Sequence, residues 1–234
     1  NAMRSEMPKK YWKNLPETRL IPDMLADAPR RVQAMRDAGA TDAPAFAPKI
    51  TARLRQQPDD SIPDTLEQAA SQAARCTRCE LCHAATQTVW GQGDPAARLM
   101  LVGEAPGDQE DLAGLPFVGP AGQLLHRTMA EVGLAPDRAW LTNAVKHFRF
   151  TPRGKRRLHQ TPDRDHVDQC RWWLDLERRM VAPRLTVALG ATAAFALTGN
   201  RKPLTPRRGL VEPARDGGPV LITWHPSLIL RLPP

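Results

Sequence analysis

Residues Leu99 to Gly122, LMLVGEAPGDQEDLAGLPFVGPAG, constrain the fold of this chain more than any other stretch. Four apolar residues, Leu99 to Val102, are short enough for a buried strand. The run breaks at Gly103 and passes through Glu104, Ala105, Pro106, Gly107 and Asp108. That is a strand entering a tight turn, and in α/β sheets sites lie at the carboxyl ends of strands. The acids Asp108, Glu110 and Asp111 follow closely. Phe117 stands between Pro116 and Gly119-Pro120, just ahead of a helical pattern carried by Gln123, Leu124, Leu125 and Met129. Taken alone, the stretch also describes an acidic surface loop with a core phenylalanine, so the rest of the chain decides.

From Thr65 onward the pattern alternates. Thr65 can cap a helix running from Gln68 to Arg75. After the central stretch the pattern gives a helix over 121–133, a strand from Trp140 to Val145, a long basic loop and a helix over 163–181. A strand from Leu185 to Leu189, a helix from Ala191 to Leu197, a charged excursion from Asn200 to Gly218 and a strand from Val220 to Trp224 complete it. Such alternation implies an α/β fold with a parallel sheet covered on both faces. The strand ends Glu104, Asn143, Gly190 and His225 then share one carboxyl edge. Residues 1–68 read as an irregular N-terminal extension or linker, the tail of an upstream fused domain, and 69–234 as the folded unit. Within the extension, Lys9 to Lys13 is basic and aromatic, Arg19 to Pro22 extended, Pro29 to Ala38 helical, and Ala43 to Ile50 rich in Ala and Pro. Asn1-Ala2 ahead of Met3 reads as a tag remnant. The chain stops soon after its last motif, so a closing helix is expected beyond Pro234. No apolar run approaches membrane-spanning length and no export signal is visible, which points to the cytoplasm.

Three constellations carry chemistry. Cys76, Cys79 and Cys82, with the distant Cys170, have the spacing of metal or iron–sulfur ligands rather than of a disulfide framework. Zinc is the alternative occupant, because thiolates suit both metals. His147 is a further ligand candidate. The stretch Lys146 to Gln160 is dense in Lys and Arg and leaves the sheet at the edge where the site should be. Arg153, Lys155, Arg156 and Arg157 are therefore expected on phosphates, in keeping with a net charge of +8. His225-Pro226-Ser227 closes the last strand, with Ser227 and Arg231 placed to meet a phosphate or cap a helix.

Four of these segments, Gly103 to Gly107, Pro116 to Gly119, Thr142-Asn143 and His225 to Ser227, resemble the motifs of the uracil-DNA glycosylase superfamily, family 4 branch. The segment Gly154 to His159 resembles the insertion of its UdgX-type members, which bind uracil-DNA covalently. The likeness runs from about Cys76 to Arg231 with every motif in order, and Lys9 to Leu25 resembles the end of a domain sometimes fused upstream. The resemblance implies a four-stranded parallel sheet between helices, a [4Fe-4S] cluster and a uracil flipped out of DNA. It implies that Phe117 stacks on the base, Asn143 reads its polar edge, and Gly103, Ala105, Gly107 and Asp108 complete the cradle. His225 would stabilise the departing base, Glu104 the charge growing on the sugar, and His159 would attack the anomeric carbon. Cys76, Cys79, His147 and Cys170 are the ligands it implies, whereas bare spacing chooses Cys82 over His147. Ala105 departs from the UdgX-type pattern and is closer to glycosylases that turn over.

The leading reading is a glycosylase-like protein of nucleoid-associated, bacterial type, monomeric, acting on single-stranded DNA and trapped on it. The alternatives are an ordinary family 4 enzyme that releases abasic DNA, and a non-catalytic iron–sulfur module that binds DNA or senses redox state.

Overall fold

The computed structural model describes Ile21, Pro22 and residues 54–232. The segments 9–13, 29–38 and 43–50 lie outside the described residues. Ile21 and Pro22 are helical rather than extended, and Ile21 is buried in the core beside Leu99 and Leu101.

The first helix, α1 (Leu66–Ala73), starts where a capping residue allows it: Thr65 Oγ1 accepts from the Gln68 N–H at 3.2 Å. It crosses the boundary drawn at 68/69 and ends just before Cys76. A one-turn helix, α2 (Leu81–Ala84), carries Cys82, the last of the three clustered cysteines. The short β1 (Gln92–Gly93) leads to β2 (Leu99–Gly103), then α3 (Asp108–Ala113), α4 (Pro120–Glu131) and β3 (Ala139–Asn143). A hairpin of β4 (Phe150–Arg153) and β5 (Arg156–His159) precedes the long α5 (Arg164–Val181). The chain continues with β6 (Leu185–Leu189), α6 (Ala191–Thr198), β7 (Val211–Pro213), β8 (Pro219–Thr223) and α7 (Pro226–Arg231).

The expected four parallel strands are present, in the order β3-β2-β6-β8, and two short antiparallel strands, β1 and β7, extend the edges to six. Both edge strands lack the hydrophobic alternation by which the sequence reveals a strand. All residues of β2, β3, β6 and β8 are buried, as parallel strands covered on two faces must be. Their side chains divide by parity: Met100 and Val102 pack toward the core shared with Trp172 and Trp173 of α5, Leu99 and Leu101 toward Leu124 and Leu125 of α4. The chain leaves β2 to one side for β3 and later places β6 on the other side. That reversal opens a crevice above the carboxyl end of β2, where Gly103 lies.

Two expectations need correcting. The basic loop is a β-hairpin, with Phe150 facing His159 and Arg153 facing Arg156 across it. Gly154 supplies the positive φ, 59°, that its tight tip requires. The acids after Gly107 are not a loop either: Asp108, Glu110 and Asp111 occupy the first turn of α3, where carboxylates suit the positive helix end.

Candidate active site and its hairpin wall

Gly103 and Asn143 are register partners at the ends of β2 and β3. A Cβ on Gly103 would collide with Asn143 Oδ1 and Phe117 Cζ and would lie 3.4 Å from His225 Nε2. The glycine therefore marks the floor of a small pocket where an aromatic edge, an amide and an imidazole converge. Asn143 is buried, held by its strand and by Lys146 Nζ, which donates to the Asn143 carbonyl at 2.7 Å. Phe117 is buried with φ of 57°, a left-handed conformation rare for a non-glycine residue. Gly122 makes that turn feasible, because any side chain there would strike the Phe117 carbonyl.

Glu110, which the sequence shows only as one acid among three, clamps the pocket loops. Its Oε1 accepts from the Gly119 N–H at 2.7 Å and its Oε2 from the Gly107 N–H at 3.1 Å. The turn after β2 and the turn bearing Phe117 are thus tied by one carboxylate. A Glu at the third helical position is a known return cap, and that position was the signal available in the sequence.

His225 sits at the start of α7. Its Nδ1 accepts from the Ser227 N–H at 3.1 Å and lies 2.8 Å from Ser227 Oγ, whose oxygen is approached by Arg231 Nη2 at 3.5 Å. An Nδ1 that accepts from a backbone N–H carries no proton, so the neutral ring bears its hydrogen on Nε2, facing Gly103. Burial, followed by the charges of His159 and Arg231, pushes the imidazole down to about 4. His225 is thus a neutral donor aimed into the pocket. Ser227, expected on a phosphate, is engaged in fixing that tautomer, and Arg231 donates to the Ser227 carbonyl at 3.1 Å.

The opposite wall is the hairpin. His159 Nε2 stands 3.5 Å from Glu104 Oε1, and Glu104 Oε2 accepts from Thr192 Oγ1 at 2.6 Å. The His159 ring also stacks with Phe148 at 6.1 Å between centroids. Arg153, Lys155 and Arg156 are exposed along the hairpin. Arg157 departs from the expectation of a phosphate contact. Its guanidinium is turned inward, with Nε on Asp108 Oδ1 and Nη1 on the fully buried Asp111, both at 2.6 Å. It also lies 5.2 Å and 5.1 Å from the rings of Phe148 and Phe150. Asp108, expected beside the base, is instead the partner of Arg157, while Ala105 packs half-buried against the core. The reason is geometric: hairpin pairing alternates side chains, so neighbouring Arg156 and Arg157 face opposite ways.

The family model described as Uracil DNA glycosylase superfamily matches residues 90–234, which contain this whole pocket. The chain belongs to that superfamily. It is 34% identical to a type-4 uracil-DNA glycosylase of Thermotoga maritima over 72% of this chain and 84% of the relative. It is 36% identical to one of Pyrobaculum aerophilum over 68% and 81%. A type-5 uracil-DNA glycosylase of Thermus thermophilus is 33% identical over 58% and 68%.

Behind the glycosylase pocket lie the cysteines. Cys76, Cys79 and Cys170 are buried and Cys82 is half-buried, all as free thiols. Cys76 Sγ accepts from the Trp173 indole N–H at 3.2 Å, and Cys170 Sγ from the Lys146 N–H at 3.1 Å. Burial, with the neighbouring Cys76 and Cys82, pushes the Cys79 thiol up to about 11, and burial pushes Cys170 up further. Thr88 Oγ1 donates to the Ala73 carbonyl at 2.8 Å and so accepts from His147 Nε2 at 2.9 Å, leaving Nδ1 with the free lone pair. Among the described residues no three His, Cys, Asp or Glu side chains form a group that would hold a single metal ion. A cluster of several irons spaces its ligands more widely than one ion does. The donor chemistry fits such a cluster: burial makes these thiols costly to ionise without a metal cation, and the N–H groups already aimed at Cys76 and Cys170 suit thiolate sulfurs.

Lys146 joins this region to the pocket. Its Nζ is fully buried and donates to Thr142 Oγ1 at 2.6 Å, the Asn143 carbonyl at 2.7 Å and Glu177 Oε2 at 2.5 Å. Glu177 in turn accepts from Thr142 Oγ1 and the Gly91 N–H, each at 2.9 Å. Nothing in the spacing of Lys146 and Glu177 pairs them in advance; only the packing of α5 under β3 does.

Proposed function

We propose that this chain excises uracil from single-stranded DNA and is trapped on it through His159. The observation that supports the reading is the contact of His159 Nε2 with Glu104 at 3.5 Å, Glu104 being the residue after Gly103, where Asn143, Phe117 and His225 converge. A flipped uracil in that pocket stacks on Phe117, presents its amide edge to Asn143 and takes a hydrogen bond from His225 Nε2. The glycosidic bond breaks with its electron pair leaving on the base, and the His225 N–H stabilises that charge without giving up its proton. The Glu104 carboxylate, held by Thr192, supports the positive charge developing on the sugar. The new bond forms from the lone pair of an unprotonated His159 Nε2, its hydrogen on Nδ1, to the anomeric carbon; the Glu104 carboxylate orients the ring, and the Nδ1 proton of the resulting imidazolium leaves to solvent. Arg153, Lys155 and Arg156 are exposed to hold phosphates beside it. The protein acts as a monomer in the bacterial cytoplasm, at the nucleoid where its substrate lies. The glycosylase unit includes α1 and so starts a few residues ahead of 69, and the segment before α1 is appended.

A second reading, ordinary turnover with water as the nucleophile, is favoured by Ala105 and by the likeness to type-4 enzymes. One assay separates the two. Uracil-containing single-stranded DNA is incubated with the protein and resolved under denaturing conditions. Trapping gives a denaturant-resistant band lost in His159→Ala; turnover gives alkali-labile DNA and no such band. An adduct that persists in His159→Ala sinks the histidine assignment. A [4Fe-4S] cluster on Cys76, Cys79, Cys170 and His147, with Cys82 as the alternative to His147, completes the proposal. Its role is structural, pinning the segment after α1 to α5. Anaerobically purified protein should contain iron and sulfide in equal amounts; a single zinc and no iron rejects the cluster. Retention of iron in His147→Cys supports His147, and loss of iron in Cys82→Ala supports Cys82.

A further inference from the structure

A second cleft, of about 270 Å³, opens next to Glu104 and is lined by Pro162, Arg164, Thr192, Phe195, Arg201 and Lys202. Thr192 belongs to both places, since its hydroxyl holds Glu104 at 2.6 Å. The cleft therefore begins where the glycosylase pocket ends. Its far wall is a built turn: Arg207 pairs with Glu212 at 2.6 Å and donates to the Asn200 and Lys202 carbonyls at 3.3 and 3.0 Å. Asn200 Oδ1 accepts from the Lys202 N–H at 3.0 Å. This scaffold presents Arg201 and Lys202 from a fixed backbone.

The cations are crowded. The guanidinium carbons of Arg164, Arg201 and Arg215 lie 5.8, 5.7 and 5.6 Å from the centre of the single Phe195 ring. None of the three makes an ion pair with a described carboxylate, whereas Arg207 in the same wall has its own. Burial first, then the charges of Arg171 and Arg201, hold the Arg215 guanidinium below its usual range, against the opposing pull of Asp168 and Asp175. Like charges brought this close repel; Asp168 and Asp175 offset part of this at Arg215 but pair directly with none of the three, and an anion placed between the cations lowers the remaining cost.

We propose that this cleft binds the phosphodiester of a nucleotide flanking the flipped uracil, so that the strand runs from the Gly103 pocket across Thr192 to Phe195. The path rests on the uracil reading for its starting point, but its charge is tested without uracil. Binding of thymine-only single-stranded oligonucleotides is measured between about 50 and 200 mM salt, where phosphate contacts dominate affinity. Arg164→Ala combined with Arg201→Ala should weaken binding about tenfold at the low-salt end and make the salt slope shallower by about one. Melting should be unchanged, because both side chains are exposed, and so should the preference for uracil over thymine. Uracil oligonucleotides lengthened one nucleotide at a time should show a step in affinity on one side of the uracil only, and the double variant should lose that step. An unchanged slope, or equal losses at every length, overturns the path. Inorganic phosphate that binds the wild type but not the variant, with oligonucleotide affinity unaltered, reassigns the cleft to a free anion and also overturns it. A wild-type protein that fails to distinguish uracil from thymine would strike the glycosylase reading while leaving the salt slope to be judged separately.

Discussion

On the sheet side of the cleft, Gly103, Asn143 and His225 stand where backbone register puts them. Each ends a buried strand or begins the helix after it, and Asn143 and Phe117 beside them are buried. On the hairpin side, His159 hangs from two short exposed strands joined to the body by Arg157 on Asp108 and Asp111, by the His159–Glu104 contact and by stacking on Phe148. On the proposed reading, recognition of the base rests on the ends of buried strands, and the nucleophile on a hairpin at the surface. The difference means that base reading and trapping can be damaged separately, and each substitution below is chosen to hit one wall.

The largest effect is expected beneath the sheet wall. Glu177→Ala leaves the Lys146 ammonium fully buried without its carboxylate, which should cost about 3–5 kcal/mol of stability in urea denaturation. Lys146→Met with Glu177→Leu should recover most of that, because a packed apolar pair carries no desolvation cost. If the single variant is as stable as wild type, the sheet wall does not depend on the pair. Next, Arg157→Ala should free the hairpin and strand the buried Asp111 carboxylate, costing about 2–3 kcal/mol. Adduct formation should collapse while uracil is still preferred over thymine in binding. Equal loss of both would show that the two walls act as one.

Phe117→Ala removes the stacking face and should weaken binding of a uracil-containing strand by about 1–3 kcal/mol, read by titration against a thymine control. Adduct yield at saturating DNA should fall less than it does in Arg157→Ala. The smallest effect concerns acid. The fold depresses His225 from 6.5 to about 4, so it favours the neutral ring. The stability this contributes is complete above pH 6.5 and is lost as pH falls from there toward about 4. Uracil preference should accordingly stay flat from pH 7 to about pH 5, and an NMR titration of the His225 ring in the free protein should show its midpoint near 4. A midpoint at the ordinary histidine value would mean that Nε2 does not face a closed pocket.

The order of strands and helices, and the four residues that end at the carboxyl edge, were legible in the linear chain because a buried parallel strand needs an unbroken apolar run and a turn needs its glycine. Thr65 as a cap and the break at Gly103 follow from such local rules, and local rules survive folding. The resemblance read from the same motifs led to the superfamily that the chain matches. The hairpin escaped that reading because Arg153, Lys155, Arg156 and Arg157 crowd it with charge and, with Pro152, leave no apolar–polar alternation. The six-stranded extent of the sheet escaped it because β1 and β7 are two and three residues long.

Tertiary structure alone decided partnership. Whether Arg157 meets a phosphate or Asp111, whether Glu110 is a surface acid or a clamp between two turns, and which of four acids near the edge receives Thr192 are questions of distance between segments far apart in sequence. The same holds for Lys146 and Glu177, 31 residues apart and joined at 2.5 Å. The physical reason is that secondary structure is set by interactions within a few residues, whereas an ion pair or a buried hydrogen bond exists only after the strands have chosen their neighbours.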